Sequence, residues 1–234
     1  MRHSPSAVLT PRRTRPSINP GCLSWFLGSV LGLLFVLLPA SNGYTLERFD
    51  AELSLYGLGG VPFDKEAVLN GVGQAGTRVK AGAGAGFKAA FYPKALGGFV
   101  GLQYDFSGFS GEITFPLASG GASTHQASTD LTVLSSMLNL LVRYPRAAFT
   151  VYAGTGLGHS SGILSGTDIP GRSDGGVETA SAFAYQFLGG VQANVSERLF
   201  LFGEYKYFSA NYHWQALSLD FRVNYVLTGL GMRF

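Results

Sequence analysis

The sequence predicts an all-β protein, an eight-stranded antiparallel up-and-down transmembrane β-barrel. Three observations predict it. Apolar and polar residues alternate with a period of two, no later apolar stretch is long enough for a membrane-spanning helix, and short breaks between segments alternate with long ones. Because lipid cannot satisfy free backbone N–H and C=O groups, a chain that crosses a membrane without such helices must form a closed barrel.

The N-terminal region has the composition of an export signal. A cluster of arginines precedes an almost wholly apolar stretch, 25–38, and small residues follow it up to Gly43. We predict a signal peptide over 1–43, cleaved to leave a barrel domain over 44–234. The alternative is an N-terminal membrane anchor, but the apolar stretch is shorter than the roughly 20 residues that a spanning helix needs.

The excess of basic residues and the single cysteine both lie in the predicted leader and not in the predicted barrel domain. The whole chain has 17 Lys and Arg against 14 Asp and Glu, and the leader holds four of the arginines and no acid. The basic character of the chain therefore belongs to the leader, and we expect no nucleic-acid partner. Cys22, the single cysteine, also lies in the leader, so we expect neither a disulfide nor thiol chemistry in the barrel domain.

Eight segments alternate with a period of two and are the predicted strands. They are 49–55, 80–92, 99–109, 131–144, 149–157, 182–193, 199–208 and 226–234. In the third of them, for example, Leu102 belongs to the predicted lipid face and Gln103 to the interior face. The segment 131–144 also suits an amphipathic helix, and the sequence leaves both possibilities open.

The breaks between the segments predict the topology. The short breaks are 93–98, 145–147 and 194–198, and the long ones are 57–79, 110–130, 159–179 and 209–220. Outer-membrane barrels have short periplasmic turns and longer external loops. The alternation therefore predicts an outer-membrane location, both termini in the periplasm and four external loops. Eight strands enclose an interior that side chains can fill, so we expect no pore.

Charged residues recur on the faces opposite the apolar ones. We predict an interior network formed by Lys88, Asp105, Arg143, Glu204, Lys206 and Arg233, which Asp50 and Glu52 can join. A soluble lipocalin-like barrel would place its apolar face inward, and these charges disfavour that alternative.

Three segments resemble the small outer-membrane β-barrel family typified by the barrel of outer membrane protein A. They are 188–207, which contains Gly-Glu-Tyr-Lys-Tyr, 149–158, which ends in Gly-Thr-Gly-Leu-Gly, and 229–234, Gly-Leu-Gly-Met-Arg-Phe. The resemblance is close in the C-terminal part of the chain and covers the first half only by pattern. It implies that Glu204 and Lys206 face the lumen and that Tyr205 and Tyr207 face outward.

The same resemblance implies a location, partners and a role. We expect an integral outer-membrane barrel, surrounded by outer-membrane lipid and lipopolysaccharide, with a structural or surface-interaction role through its four external loops. The external ligand is unknown. We also expect the barrel-assembly machinery to read the terminal aromatic residue, Phe234, as an assembly signal.

One pair of residues offers an enzymatic alternative, a lipid A-modifying hydrolase. His159 and Ser161 stand at the outer end of the fifth predicted strand, and residues two apart along a strand point to the same face, as a base and a nucleophile would. The pair resembles the His-x-Ser motif of lipid A 3-O-deacylase barrels. In those enzymes asparagine follows, a glutamate lies nearby, and the motif is close to the C-terminus; here Gly162 follows and the position differs.

The acids nearest to this pair are weak candidates for a catalytic or metal site. They are Asp168, Asp174 and Glu178, in a glycine-rich predicted loop. Their spacing is not that of a calcium-binding loop, so we predict no metal site and no cofactor. We favour a nonenzymatic protein in which His159 and Ser161 hydrogen-bond to solvent and backbone.

Overall fold

The structure is a computed structural model that describes residues 48–63, 67–69, 72–74, 78–117, 125–146, 148–166, 176–215 and 217–234. The predicted signal peptide, 1–43, lies outside the described residues. In the part of the chain that is described, no helix is long and apolar enough to span a membrane.

The described residues form strands that belong to one sheet. The strands are β1 (Phe49–Pro62), β2 (Ala67–Leu69), β3 (Val72–Gln74), β4 (Arg78–Val79), β5 (Gly82–Pro93), β6 (Val100–Leu117), β7 (His125–Pro145), β8 (Phe149–Ser165), β9 (Val177–Asn194), β10 (Leu199–His213) and β11 (Leu217–Arg233). A short 3-10 helix, Lys94–Leu96, lies between β5 and β6.

The eight long strands, β1 and β5 to β11, close into a barrel. Each pairs antiparallel with the next along the chain. β11 pairs back with β1, from Glu52 opposite Arg233 to Pro62 opposite Val223. The predicted fold class is therefore confirmed. The helical alternative for 131–144 is wrong, because β7 pairs with a neighbour on each side.

The three short strands extend the barrel wall beyond β1 and β5. β2 pairs with the start of β11, where Leu69 lies opposite Leu217, and with β3. β4 pairs with β6, where Val79 lies opposite Ile113.

The strands are longer than the sequence predicted, and the predicted loops are correspondingly too long. β6 continues to Leu117, β7 begins at His125, and β8 continues to Ser165. The two-residue period does not stop where the lipid-facing pattern stops. Instead, the outward residues become polar and the inward residues become apolar. A prediction that requires apolar outward residues therefore ends the strands too early.

The barrel has two ends, which we call the terminal end and the distal end. The terminal end contains the start of β1, the end of β11 and the turns 94–99, 146–148 and 195–198. The distal end contains the ends of β6, β8 and β10 and the starts of β7, β9 and β11. From the terminal end to the middle, the outward side chains are apolar and exposed, and we call this part of the wall the apolar belt. It includes Leu55, Leu102, Leu138, Leu140, Val142, Leu157, Phe183, Phe187, Leu201, Val226 and Leu230.

Towards the distal end the outward residues become polar, and we call this part the distal collar. Outward positions there include Ser110, Glu112, Ser128, Asp130, His159, Ser181, Asn211, His213, Asp220 and Arg222. Its inward residues are apolar and buried, among them Ile113, Leu131, Leu164 and Phe221. The collar therefore has the arrangement of a soluble barrel, whereas the rest of the wall has an apolar exterior.

The turn between β5 and β6 depends on two glycines. Gly97 and Gly98 have φ angles of 66° and 68°, in the left-handed region that glycine adopts without a steric penalty. The side chain of Arg143 enters from β7, and its Nε donates a hydrogen bond of 2.7 Å to the Gly98 carbonyl oxygen. The turn is thus tied to the charged part of the interior.

Candidate functional site

The charged residues predicted for the interior all lie there. They are Lys88, Asp105, Arg143, Glu204, Lys206 and Arg233. Each occupies an inward position of its strand, and the first five are buried, while the side chain of Arg233 is 24% exposed at the terminal end. The two-residue period of the strands places all of them in one enclosed space.

Glu204 joins three strands in the middle of the barrel. Its Oε2 lies 2.5 Å from Nζ of Lys88 on β5 and accepts a hydrogen bond of 2.8 Å from the hydroxyl of Tyr152 on β8. The Lys88 ammonium also lies 5.0 Å from the ring centre of Tyr56 and 5.2 Å from that of Phe202. These contacts compensate much of the cost of removing both charges from water.

Asp105 joins a second set of strands. Its Oδ2 forms a salt bridge with Lys206 on β10 and accepts a long hydrogen bond, 3.4 Å, from Nε2 of Gln186 on β9. The hydroxyl of Tyr56, on β1, donates to Oδ1 at 2.5 Å. Nε2 of Gln186 also donates to Asn139 at 2.6 Å. The aspartate thus receives donors from both sides of the barrel.

Glu52 is the centre of the network near the terminal end. Oε1 lies 2.9 Å from Nη1 of Arg143 and 2.9 Å from Nε of Arg233, and Oε2 accepts a 2.9 Å hydrogen bond from Gln192. Arg143 also binds Asp50 at 2.8 Å. The sequence marked Glu52 only as a residue that could join the network, because its central position depends on four strands meeting.

The network fixes strand positions and leaves little unused hydrogen-bonding capacity. Four acids face four bases, and a buried charge without a partner would cost several kcal/mol. Of the carboxylate oxygens of Glu52, Asp105 and Glu204, Oε1 of Glu204 lacks a partner among the described residues. A small adjoining cavity, which Glu52, Lys88 and Tyr152 help to line, has room for about one water molecule.

The interior of the distal collar is filled by aromatic side chains. Ring centres lie 5.3 Å apart for Tyr212 and Trp214 and 5.4 Å apart for Phe109 and Tyr225. Trp214 follows β10, and its Nε1 donates a 3.1 Å hydrogen bond to the carbonyl oxygen of Gly162 on β8. This core was not predicted from the sequence, although inward apolar residues recur at every second position of β11.

The predicted base and nucleophile face outward from β8. His159 is exposed and Ser161 is buried, and the strand continues past both, so they do not lie at a strand end as predicted. Within the described ranges, no hydrogen bond or ion pair joins His159 to Ser161 or to an acid.

The loop acids do not complete a catalytic site within the described residues. Asp168 and Asp174 lie outside those residues. Oε1 of Glu178 accepts a 2.5 Å hydrogen bond from the backbone N–H of Gln215. Among the described residues, no group of three or more His, Cys, Asp or Glu side chains could hold a metal ion.

Phe234 completes the barrel wall at the terminal end. Its backbone N–H donates a 2.9 Å hydrogen bond to the carbonyl oxygen of Ala51 on β1. The side chain is 59% exposed. Its role as an assembly signal stays a prediction.

Comparisons with known proteins agree with this architecture. The family model for the outer membrane protein beta-barrel domain matches residues 91–234. The solved structure of OprG from Pseudomonas aeruginosa has a TM-score of 0.54 at 16% identity, over 80% of this chain and 96% of OprG. Neisserial surface protein A has a TM-score of 0.50 at 12% identity, over 80% of this chain and 97% of that protein. A search of curated proteins finds no significant match. At these identities the structural likeness shows the fold alone.

Proposed function

The chain belongs to the outer membrane protein beta-barrel domain family, and from that premise we propose that it is a nonconducting, nonenzymatic barrel with a structural or surface-interaction role. Family membership confirms the predicted resemblance and makes the chain a protein of the cell outer membrane. The observation that carries the proposal is that buried side chains fill the barrel interior in two successive layers.

The two layers oppose ion passage for different reasons. In the first, each of Glu52, Asp105 and Glu204 is bound by donors from other strands, so the charges face one another and not a water-filled path. In the second, the side chains that fill the collar are mainly apolar and aromatic, among them Ile113, Leu131 and Phe221, and such side chains are poor replacements for the hydration shell of an ion.

We infer the orientation of the barrel from the difference between its two ends. We place the terminal end in the periplasm and the distal collar outside the cell, because outer-membrane barrels of this class have both termini on the periplasmic side. The lipid around the apolar belt then includes lipopolysaccharide, and an external ligand would bind at the distal end. The terminal aromatic residue would be accessible to the assembly machinery from the periplasm.

A conductance measurement tests whether the barrel is closed. Purified protein, folded in detergent and added to a planar lipid bilayer, should give no stable current steps, while a general porin added to the same bilayer gives them. Stable ion-conducting steps from the native protein would contradict the proposal.

A second experiment distinguishes the structural role from the surface role. The connections 118–124 and 166–176 can each be replaced by a short Gly-Ser linker in cells that otherwise lack the protein. Sensitivity of these cells to detergent reports envelope integrity, and attachment to host cells or matrix reports surface interaction. A structural role predicts full rescue of detergent resistance by the linker variants, and a surface role predicts loss of attachment. If the native protein changes neither property, both roles are wrong.

A further inference from the structure

The terminal end of the barrel carries a basic residue beside each of four strand ends, and we call these residues the terminal ring. Arg48 directly precedes β1, Lys94 directly follows β5, Arg146 directly follows β7 and Arg198 directly precedes β10. All four residues are exposed. Because these strands are spread around the closed sheet, the positive charges surround the barrel axis at this end.

Three bases of the terminal ring have no acidic partner in the part of the chain that is described. Arg48, Arg146 and Arg198 form no salt bridge there. The fourth base, Lys94, lies 3.7 Å from Asp50, which is a long separation for an ion pair. The charges of the ring are therefore available to an anionic partner.

The acids of the terminal end are mostly used by the interior network. Asp50 binds Arg143 at 2.8 Å, and Glu52 binds both Arg143 and Arg233 at 2.9 Å. Glu197 is the one other acidic residue in the described turns and strand ends there. Outside the network, four basic side chains thus face a single acidic one.

The distal collar does not have this excess of positive charge. On its outer wall, Lys80 lies 2.9 Å from Glu112, and Arg222 lies 2.7 Å from Asp220. Bases of the collar thus have acidic partners on the same wall. The unpaired positive charge is a feature of the terminal end and not of the whole surface.

Two bases of the terminal ring are held in defined positions. The backbone N–H of Arg198 donates a 3.3 Å hydrogen bond to Oγ of Ser196. Nη2 of Arg146 donates a 2.9 Å hydrogen bond to the hydroxyl of Tyr144, and its guanidinium carbon lies 4.7 Å from the centre of that ring. A guanidinium has five N–H donors, so Arg146 keeps donors for a ligand oxygen. Binding then costs little further ordering of this side chain.

The terminal ring lies just beyond the aromatic edge of the apolar belt. Phe49 and Phe149 are exposed on the outer wall, and Arg48 and Arg146 come before them at the same strand ends. Outer-membrane barrels carry such aromatic residues where the membrane meets water. In the orientation given above, the ring is therefore at the periplasmic surface of the membrane.

The distribution of the charges indicates the class of partner. A phospholipid headgroup lies beside the barrel wall and offers its phosphate to a single base. An anionic polymer that lies across the terminal end can contact several bases at once, and linked contacts strengthen one another through their effective concentration. The polymer of the periplasm is peptidoglycan, whose peptide stems carry free carboxylates.

We propose that the terminal ring binds the peptide carboxylates of peptidoglycan and so connects the barrel to the cell wall. Arg146 and Arg198 donate N–H groups to these carboxylates, and Arg48 and Lys94 add positive charge around them. The inference deepens the structural role given under the proposed function and rests on the orientation given there.

Cosedimentation with isolated peptidoglycan sacculi tests the terminal ring. Native protein folded in detergent is centrifuged with increasing amounts of sacculi, and the fraction in the pellet gives an apparent affinity. We expect the native protein to sediment with the sacculi and added salt to release it. Arg146→Gln combined with Arg198→Gln should weaken the apparent affinity about tenfold, because one exposed ion pair contributes roughly a factor of three.

Arg78→Gln combined with Arg222→Gln is the matched control. It removes the same charge from the distal end, where Arg78 is exposed and the side chain of Arg222 is 38% exposed. This variant should bind sacculi like the native protein. Slower migration of the boiled than of the unboiled sample on a detergent gel establishes that each protein is folded.

Three results would overturn the proposal. The native protein could stay in the supernatant, or both double variants could lose binding equally. The terminal-ring variant could also bind sacculi like the native protein but keep less phosphatidylglycerol in native mass spectrometry, which would assign these bases to lipid headgroups. Failure of sacculus binding would not alter the conductance or detergent-sensitivity results, so it is distinguishable from failure of the proposed function.

Discussion

Lys88 on β5 and Glu204 on β10 form a buried salt bridge, with Nζ and Oε2 2.5 Å apart. Neither strand is a neighbour of the other in the sheet, so the pair spans the interior of the barrel. The side chains are 4% and 0% exposed, and each charge depends on the other for compensation. The salt bridge therefore fixes the position of β5 relative to β10 across the barrel interior.

Removing one member of this pair should destabilise the barrel strongly. Lys88→Met leaves the Glu204 carboxylate buried without its ammonium partner, and we expect a loss of about 3 to 5 kcal/mol in the free energy of unfolding. Lys88→Met combined with Glu204→Leu should recover much of that loss. Urea unfolding in detergent micelles of the native protein, Lys88→Met, Glu204→Leu and the double variant completes a double-mutant cycle.

The exposed pair Lys80 and Glu112 provides the control for this cycle. The side chain of Lys80 is 56% exposed, so Lys80→Met should leave stability nearly unchanged. If Lys88→Met and Lys80→Met had equal effects, the buried network would not hold the barrel together as we infer.

A second prediction concerns the level at which the wall leaves the lipid. Leu102 and Ser110 both face outward from β6, but Leu102 belongs to the apolar belt and Ser110 to the distal collar. An arginine facing lipid near the midplane costs roughly 2 to 4 kcal/mol, and one near the interface about 0 to 1. Leu102→Arg should therefore reduce stability in lipid vesicles far more than Ser110→Arg. Similar losses in the two variants would place the collar inside the bilayer.

β6 also illustrates how far the sequence predicts the fold. Its period of two is visible through Leu102, Tyr104 and Phe106, and this pattern correctly predicts a strand with a lipid face. Beyond Phe109 the period continues, but Ser110 and Glu112 face outward and Ile113 faces inward. A prediction that requires apolar outward residues therefore ends the strand at this reversal. The sequence alone does not show at which residue the barrel wall leaves the lipid.

The sequence predicts which residues form the interior network, but not which of these residues contact one another. Period two places Arg143 and Glu52 on inward faces, yet their contact joins positions 91 residues apart. Which strands approach each other across the interior depends on the register of every pair around the barrel. The positions of the turns alone do not determine that register. The same limit applies to Trp214, which follows β10 and whose indole contacts Gly162 on β8.

A third prediction uses Trp214 as a reporter of the distal core. A Cβ atom at Gly162 would lie 2.7 Å from Cζ2 of Trp214, so Gly162→Ala should displace the indole ring. Trp214 is the single tryptophan of the predicted barrel domain, since Trp25 belongs to the predicted leader. We expect its fluorescence emission to shift to longer wavelength and its quenching by acrylamide to increase.

Gly59→Ala is the control for this substitution, because a Cβ at Gly59 would have nothing within 4 Å. Its emission spectrum should match that of the native protein. A native spectrum for Gly162→Ala would mean that the indole ring does not pack against this glycine.

The last prediction separates a scaffold from a lipid A hydrolase. His159 is exposed on the outer wall, and no described acid orients it towards Ser161, so the pair lacks the arrangement that activates a serine. Cells that carry His159→Ala should therefore have the same lipid A as cells that carry the native protein, as measured by mass spectrometry. His213→Ala is the matched control, because His213 is also exposed on the collar and its Nδ1 lies 3.1 Å from the hydroxyl of Ser218. Lipid A that loses acyl chains in native cells, but keeps them when either His159 or Ser161 is replaced by alanine, would establish the hydrolase and end the scaffold assignment.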